Sequence, residues 1–219
     1  MNFLARCVLT LCFAFGAVLV GDAAGAAESI SKVNGSVKVE PGQQAGDVDT
    51  VNGSITIGAG ARVGDIETVN GSLRLEDGAS ADSAGTVNGS ITIGADAVVQ
   101  KRVEAVNGSI TLRQGARVAG GLENVNGAVT LEGAQVDGGI ATVNGDIRLA
   151  TGTRLSGGIR VEESKSWWKG GNTRNPRITI EQGVVVEGPL NFEREVDLYV
   201  APGVTVPPVE GVAPRRFTL

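Results

Sequence analysis

The residue types most often used in catalysis are scarce in this chain of 219 residues. It contains no histidine, and its only cysteines, Cys7 and Cys12, lie in an apolar segment near the start. The usual pairs of nucleophile and base, and a zinc site of histidine and cysteine, are therefore excluded. Carboxylates remain at Asp47, Asp65, Glu67, Asp82, Glu104, Glu123 and Asp137. Because they are spread over many turns, we interpret them as solvated and predict no enzyme, no catalytic residue, no cofactor and no metal ligand.

A second group with binding potential is the aromatic and basic segment EESKSWWKGGNTRNPR, between Val161 and Ile178. It breaks a regular spacing, so we predict a loop insertion over residues 162–177. Paired aromatic rings with cationic neighbours suit a sugar ring or a protein surface. The candidate binding loop comprises Trp167, Trp168, Lys169 and Arg174. The interpretation that we favour over binding is that the tryptophans fold back over neighbouring coils, because an exposed indole is costly unless it binds something.

The elements that must position these residues are set by a repeat. The triplet Val-Asn-Gly recurs at intervals of 18 or 19 residues, with its asparagines at Asn34, Asn52, Asn70, Asn88, Asn107, Asn126 and Asn144. A short, constant period of this kind is typical of a solenoid, in which each repeat is one coil stacked on the next. The low aromatic content of 4% and the 33 glycines fit an all-β chain with tight turns.

One coil can be outlined from Val51 to Thr68. Ile55 and Ile57 alternate with polar residues, which predicts a short strand with both side chains buried. A glycine corner and a second short strand follow. Ile66 and Val69 are three residues apart, so we expect a bulge or turn between them on the third face. A six-residue spacing of apolar residues predicts three such faces. The fold class is therefore a single-domain, triangular parallel β-helix (β-solenoid) with about 18 residues per coil and roughly nine coils.

The repeated Asn-Gly dipeptide predicts a corner with positive φ angles, since glycine has no Cβ and asparagine tolerates that region. Stacking would align the seven asparagines as a structural ladder of side-chain amides. Asn-Gly-Ser at the first five asparagines also matches the N-glycosylation pattern. Asn126 and Asn144 keep Asn-Gly without the serine, which favours the turn over glycosylation.

The two ends of the chain differ in composition. Residues 1–26 carry Arg6, an apolar run and an Ala-x-Ala site, which predicts a cleaved secretory signal and a periplasmic or surface location, with no transmembrane span after cleavage. Residues 27–206 would form the solenoid, and residues 207–219 a proline-rich tail or cap that discourages further pairing. The first coil would then present an open edge, and we expect self-association there.

Two further classes of partner are disfavoured. A net charge of −5 argues against binding nucleic acid or an anionic membrane surface. Ice binding would need an unbroken threonine face, and three cations interrupt the column that we expect to face outward, which is Lys38, Thr56, Arg74, Thr92, Thr111, Thr130 and Arg148. The neighbouring column is also broken, and it consists of Thr50, Thr68, Thr86, Ala105, Asn124 and Thr142.

The segment SITIGAGARVGDIETVNGS, from Ser54 to Ser72, resembles the repeats of the bactofilins, a polymer-forming bacterial cytoskeletal family. The similarity lies in the opening from Ile55 to Gly58 and in the Gly-Asp-Ile from Gly64 to Ile66. It implies a right-handed β-helix that joins end to end and acts as an envelope scaffold. The export signal departs from that family, which is generally cytoplasmic.

These observations support three hypotheses of different kinds. The first is a non-enzymatic, exported scaffold of the bacterial envelope that assembles end to end. The second is a module that binds a glycan or an envelope protein through Trp167 and Trp168. The third and weakest is a β-helix enzyme acting on polysaccharide through carboxylates alone.

Overall fold

The structure is a computed structural model that describes residues 27–163 and 174–219. The described chain winds through about ten turns, which contribute strands to two ten-stranded parallel sheets, and six of the turns add a strand to a third parallel sheet. It contains no helix that could cross a membrane.

Sheet A and sheet B have ten strands each, and sheet C has six. Sheet A consists of β1 (Ile30–Asn34), β3 (Val48–Asn52), β5 (Asp65–Asn70), β8 (Ser83–Asn88), β11 (Val103–Asn107), β14 (Leu122–Asn126), β17 (Ile140–Thr142), β20 (Ile159–Val161), β23 (Leu190–Phe192) and β25 (Val209–Gly211). Sheet B consists of β2 (Val37–Val39), β4 (Ile55–Ile57), β6 (Leu73–Leu75), β9 (Ile91–Ile93), β12 (Ile110–Leu112), β15 (Val129–Glu132), β18 (Ile147–Ala150), β21 (Arg177–Ile180), β24 (Asp197–Val200) and β26 (Arg215–Thr218). Sheet C consists of β7 (Ser80–Ala81), β10 (Val98–Val99), β13 (Arg117–Val118), β16 (Gln135–Val136), β19 (Arg154–Leu155) and β22 (Val185–Val186). The chain passes from sheet A through the Asn-Gly corner to sheet B, and then through sheet C back to sheet A.

The core is a continuous column of aliphatic side chains enclosed by the three sheets. On the first eight strands of sheet B both core-facing apolar residues are buried, as Ile55 and Ile57 are, so the predicted alternation is confirmed. Five of the six strands of sheet C contribute one buried residue each, such as Val99. Small residues such as Ala97 fill the corner between sheets B and C. Each layer of the core therefore packs on the layers above and below it, which is where a solenoid gains its stability.

The third face differs from our expectation. Strand β5 is uninterrupted, and it buries Ile66 and Thr68 while Val69 points away from the core. No bulge is needed, because alternation along a strand puts residues 66 and 68 on the same side. The six-residue apolar spacing therefore does not describe the buried side of sheet A.

The threonines of sheet A face inward, so the column that begins at Thr50 does not form an exposed threonine face. Thr68 is buried and its Oγ1 donates to the carbonyl oxygen of Gly53 at 3.0 Å, at the corner of the preceding turn. Thr50 and Thr86 make the equivalent bonds to Gly35 and Gly71 at 3.2 and 3.0 Å. Each buried hydroxyl thus satisfies a corner carbonyl that has turned out of the sheet.

Asn124 occupies the same inward column farther along the rod. Its Nδ2 donates to the carbonyl oxygen of Gly108 at 2.8 Å, replacing the threonine bond. Its Oδ1 is buried and has no hydrogen-bond partner. Asparagine therefore supplies the donor that the corner needs at the cost of one unsatisfied acceptor.

The C-terminal segment forms a further turn, so our estimate of nine coils is one short. Strand β25 pairs with β23, and β26 pairs with β24. The prolines of residues 207–219 do not prevent this because they precede the strands, where no ladder N–H is required. Pro208 even contributes an acceptor, since the Leu190 N–H donates to its carbonyl oxygen at 3.1 Å.

The glycines of the Asn-Gly corners are required by close packing in the stack. A Cβ on Gly89 would overlap the carbonyl group of Gly71 in the preceding turn, and the same overlap recurs from Gly53 to Gly145. Among these corner glycines only Gly35 and Gly127 have φ angles in the positive region, at 108° and 139°. The prediction of positive φ at every corner is therefore wrong, because glycine is needed mainly for its missing side chain.

We predict that Gly89→Ala lowers the free energy of unfolding by about 3 kcal/mol, the upper end of the range for overpacking, because backbone atoms in two turns must move. The matched control is Gly78→Ala, where φ is 67° and an added Cβ meets no atom within 4 Å. That variant should lose only about 1–2 kcal/mol from the left-handed backbone. Urea denaturation compares the two, and equal losses would contradict the packing explanation.

Candidate functional site

The corner between sheets A and B carries an unbroken chain of side-chain amides. Six hydrogen bonds of 2.9–3.1 Å connect Nδ2 of each asparagine to Oδ1 of the asparagine in the preceding turn. The ladder residues are Asn34, Asn52, Asn70, Asn88, Asn107, Asn126 and Asn144. The structure thus brings together all seven asparagines predicted to form the ladder. Four of the five Asn-Gly-Ser asparagines, those after Asn34, use Nδ2 as a donor within the ladder.

Every bond of this ladder donates in the same direction, toward the N-terminal end. At the other end the Arg194 guanidinium donates to Oδ1 of Asn144 at 3.0 Å. A cation therefore sits at the end where the last acceptor is exposed, which matches the polarity of the chain of amides. At the N-terminal end Asn34 accepts from Asn52, and its own Nδ2 has no acceptor among the described residues.

The one-way direction predicts that the same substitution has different effects along the ladder. Asn88→Asp removes the donor to Asn70 and sets two acceptors against each other, so we expect a loss of about 1–2 kcal/mol in the free energy of unfolding. Asn34→Asp keeps the only ladder bond of that residue, which is accepted through Oδ1, and should cost less than about 0.5 kcal/mol. Thermal denaturation at neutral pH measures both. A larger loss at position 34 than at position 88 would reverse the assigned direction.

A second feature is an acidic face on the outer side of sheet A and its adjoining corner, made of Asp47, Asp49, Asp65, Glu67, Asp82 and Glu104. Asp49 and Glu67 are direct partners in the register of β3 and β5. The interpretation of the carboxylates as spread out is therefore wrong for this group, whereas Asp137 lies apart and accepts from Gln135 Nε2 at 2.8 Å. Alignment of the repeats would have shown this acidic group, because residues one repeat apart become neighbours in the stack.

Two cations partly neutralise this face. Lys101 Nζ lies 3.5 Å from an oxygen of Asp65 and 3.1 Å from one of Asp82. The bond to Asp82, followed by the charge of Asp65, raises the pKa of Lys101. Arg102 lies 2.5 Å from Glu104, whose side chain is 13% exposed. The cations thus hold the rim of the face, while its centre around Glu67 keeps an excess of negative charge.

Glu67 carries the strongest electrostatic perturbation of this region. Burial, followed by the charges of Asp49, Asp65 and Glu104, raises the pKa of Glu67 to about 7, against the opposing effect of Arg102. Burial and the charge of Asp47 also raise the pKa of Asp49. The folded chain therefore retains a proton on Glu67 at a pH where an unfolded glutamate, with an ordinary pKa of 4.5, has released it.

The sign of the pH effect follows from this difference. The contribution of Glu67 to stability is fully present below its unfolded pKa of 4.5 and is lost as the pH rises through about 7. We therefore expect the thermal midpoint to fall between pH 5 and pH 8, and Glu67→Gln to be more stable than the parent at pH 8 and nearly equal at pH 5. The control is Glu132→Gln, at an exposed glutamate of sheet B. The same pH profile for Glu67→Gln and the parent would contradict the assignment.

Three of the four candidate loop residues, Trp167, Trp168 and Lys169, lie outside the described residues. The fourth, Arg174, forms an ion pair with Asp146 at 2.7 Å. The other oxygen of Asp146 accepts from the backbone N–H of Arg177 at 2.8 Å. Asp146 stands where the earlier repeats have serine or alanine, so this acid anchors the chain as it returns from the insertion to sheet B.

Sheet A also carries an open depression with a volume of about 340 Å³, which was not predicted from the sequence. Its floor is formed by glycines and by Ala141, whose small side chain stands in the outward column between Glu123 and Arg160. Other polar side chains along it are those of Asn191 and Glu210. The depth comes from the stacking of small residues in successive turns, which a single repeat does not reveal.

Comparisons of the chain with models of protein families, with curated proteins and with solved structures found no match. Within residues 27–163 and 174–219, no group of three or more aspartate, glutamate, histidine or cysteine side chains is arranged to hold a metal ion. The geometry therefore defines the class of protein as a parallel β-solenoid repeat protein with an asparagine ladder.

Proposed function

We propose that this protein is a non-enzymatic structural scaffold of the bacterial envelope, exported through residues 1–26, whose copies join through the first turn of the rod. The observation that carries the proposal is the edge of that turn. Strands β1 and β2 each pair on one side only within the described chain. An unpaired strand edge is a ready template for another chain.

The groups at this edge can be identified from the ladder pattern. The Ile30 N–H donates to the carbonyl oxygen of Asp47, and the Val37 N–H donates to the carbonyl oxygen of Ser54. Both N–H groups therefore point along the rod toward the second turn. Because successive backbone groups of a strand point in opposite directions, Ser31 and Lys38 present their N–H and C=O groups at the open edge. The side-chain amide of Asn34, whose Nδ2 has no acceptor among the described residues, lies at the same end of the rod.

The resemblance to bactofilin repeats supports the proposal, because that family joins β-helical rods end to end without nucleotide. A scaffold of the envelope requires that residues 1–26 direct export and are then removed. The mass of the protein recovered from the exported fraction tests this point. A mass that corresponds to a chain beginning near Ala27 supports export and cleavage. A mass that includes residues 1–26 contradicts the prediction of a cleaved signal.

Assembly is tested with edge variants of the recovered protein. We expect filaments or multimers in electron microscopy and light scattering. Ser31→Pro should suppress them, because it removes an edge N–H and breaks no backbone hydrogen bond inside the rod, although it also removes the hydrogen bond from Ser31 Oγ to Asp49. Ser31→Ala is the matched control, because it loses the same hydroxyl as Ser31→Pro but keeps the edge N–H, and it should assemble as the parent does. A strict monomer at high concentration would contradict the scaffold. A single rod whose tryptophan fluorescence is quenched by a sugar would favour the binding module.

A further inference from the structure

The seven Asn-Gly corners share a sequence but not a backbone geometry. In the register of sheet A, asparagine pairs with asparagine from Asn34 through Asn126. The pairing of β14 with β17 stops at Asn124 and Thr142, so Asn126 and Asn144 are not backbone partners. The side-chain ladder nevertheless continues across this step.

This break changes the environment of one glycine nitrogen. At the first five corners the glycine N–H donates to the asparagine carbonyl of the next turn at 2.9–3.1 Å. At the last corner the Gly145 N–H donates to Thr142 Oγ1 at 2.9 Å. Gly127, in the sixth corner, has no hydrogen bond from its N–H to any described residue. Asn126 itself is exposed to solvent.

From this difference we propose that Asn126-Gly127 is a site of spontaneous deamidation and isoaspartate formation, and that the other corners protect their asparagines. Asparagine followed by glycine is prone to this reaction because glycine has no side chain to obstruct the attacking nitrogen. The Gly127 nitrogen forms a bond to Cγ of Asn126, the bond from Cγ to Nδ2 breaks, and the nitrogen's proton leaves with ammonia. Water then opens the succinimide at either carbonyl to give aspartate or isoaspartate.

The neighbouring amides make Asn126 both reactive and important. Its Oδ1 accepts from Asn144 at 2.9 Å, which draws electron density from Cγ. Its Nδ2 donates to Asn107 at 3.0 Å. Loss of that nitrogen as ammonia sets a carboxylate against Oδ1 of Asn107, so the reaction cuts the ladder between the two residues. Slow deamidation at Asn126 would therefore destabilise the rod at this turn over time.

The chain provides its own controls, because every corner has the sequence Val-Asn-Gly. The whole protein is incubated at pH 8, and tandem mass spectrometry follows deamidation at each asparagine, with the same incubation in urea as the unfolded reference. Each rate in the folded protein is divided by the rate of the same asparagine in urea. On this scale we expect Asn126 to react roughly 2- to 10-fold faster than Asn70, Asn88 and Asn107, which is the factor that one hydrogen bond is worth. A rate at Asn126 no greater than at those three sites would overturn the proposal.

A variant tests the cause independently. Thr142→Val keeps the shape of the buried side chain and removes the acceptor of the Gly145 N–H. We expect faster deamidation at Asn144 by a similar factor, with the rates at Asn70 and Asn88 unchanged. An unchanged rate at Asn144, in a variant whose circular dichroism matches the parent, would show that a free glycine N–H does not select the site and would overturn the proposal. Assembly is not involved in either readout.

Discussion

The structure depends on the close stacking of backbone on backbone at the Asn-Gly corner. There the glycine of one turn lies directly on the carbonyl group of the glycine before it, with no space for a side chain. This contact fixes the distance between turns and holds the sheet A and sheet B strands of consecutive turns in register. The asparagine amides and the buried threonines then bond across the same step. One period of the sequence is therefore enough to specify the whole rod.

The corner also explains how the rod keeps polar groups inside an apolar column. A strand that leaves its sheet at a corner exposes a carbonyl that no neighbouring strand can pair with. The Thr68 hydroxyl reaches back to such a carbonyl, at Gly53, from within the core. Outside, Nδ2 of Asn70 donates to Oδ1 of Asn52 in the preceding turn. The threonine hydroxyls inside and the asparagine amides outside thus form hydrogen bonds on both sides of the corner. The described rod has no disulfide, and these repeated hydrogen bonds connect its turns.

The outer surfaces divide the rod into regions with different properties. Near the N-terminal end sheet A is acidic and holds a proton on Glu67 near neutral pH. Farther along, small residues such as Ala141 open a depression, and Arg174 and Arg194 secure the chain around the insertion. Arg194 donates to the last acceptor of the ladder, on Asn144, whereas the first amide, that of Asn34, has no acceptor among the described residues. The two ends of the rod are therefore chemically distinct, as a directional assembly would require.

Much of the fold could be predicted because the pattern of Ile55 and Ile57 and the Asn-Gly period each reflect one physical requirement, burial or stacking. The inward position of Thr68 could not, since threonine suits either face of a strand and its partner, the Gly53 carbonyl, belongs to another turn. The composition at Pro207 and Pro208 predicts a stop, because the sequence alone does not show that these prolines precede a strand. The acidic face required alignment of the repeats as columns, and the depression required the shape of several turns at once.

Hydrogen exchange of the side-chain amides, followed by NMR, reports directly whether the asparagine ladder joins consecutive turns. We predict that one Nδ2 proton of Asn52, Asn70, Asn88 and Asn107 exchanges slowly, while the Nδ2 protons of Asn34 and the Nε2 protons of the exposed Gln182 exchange rapidly. Equally rapid exchange at all these amides would contradict a rod whose turns are held together at this corner.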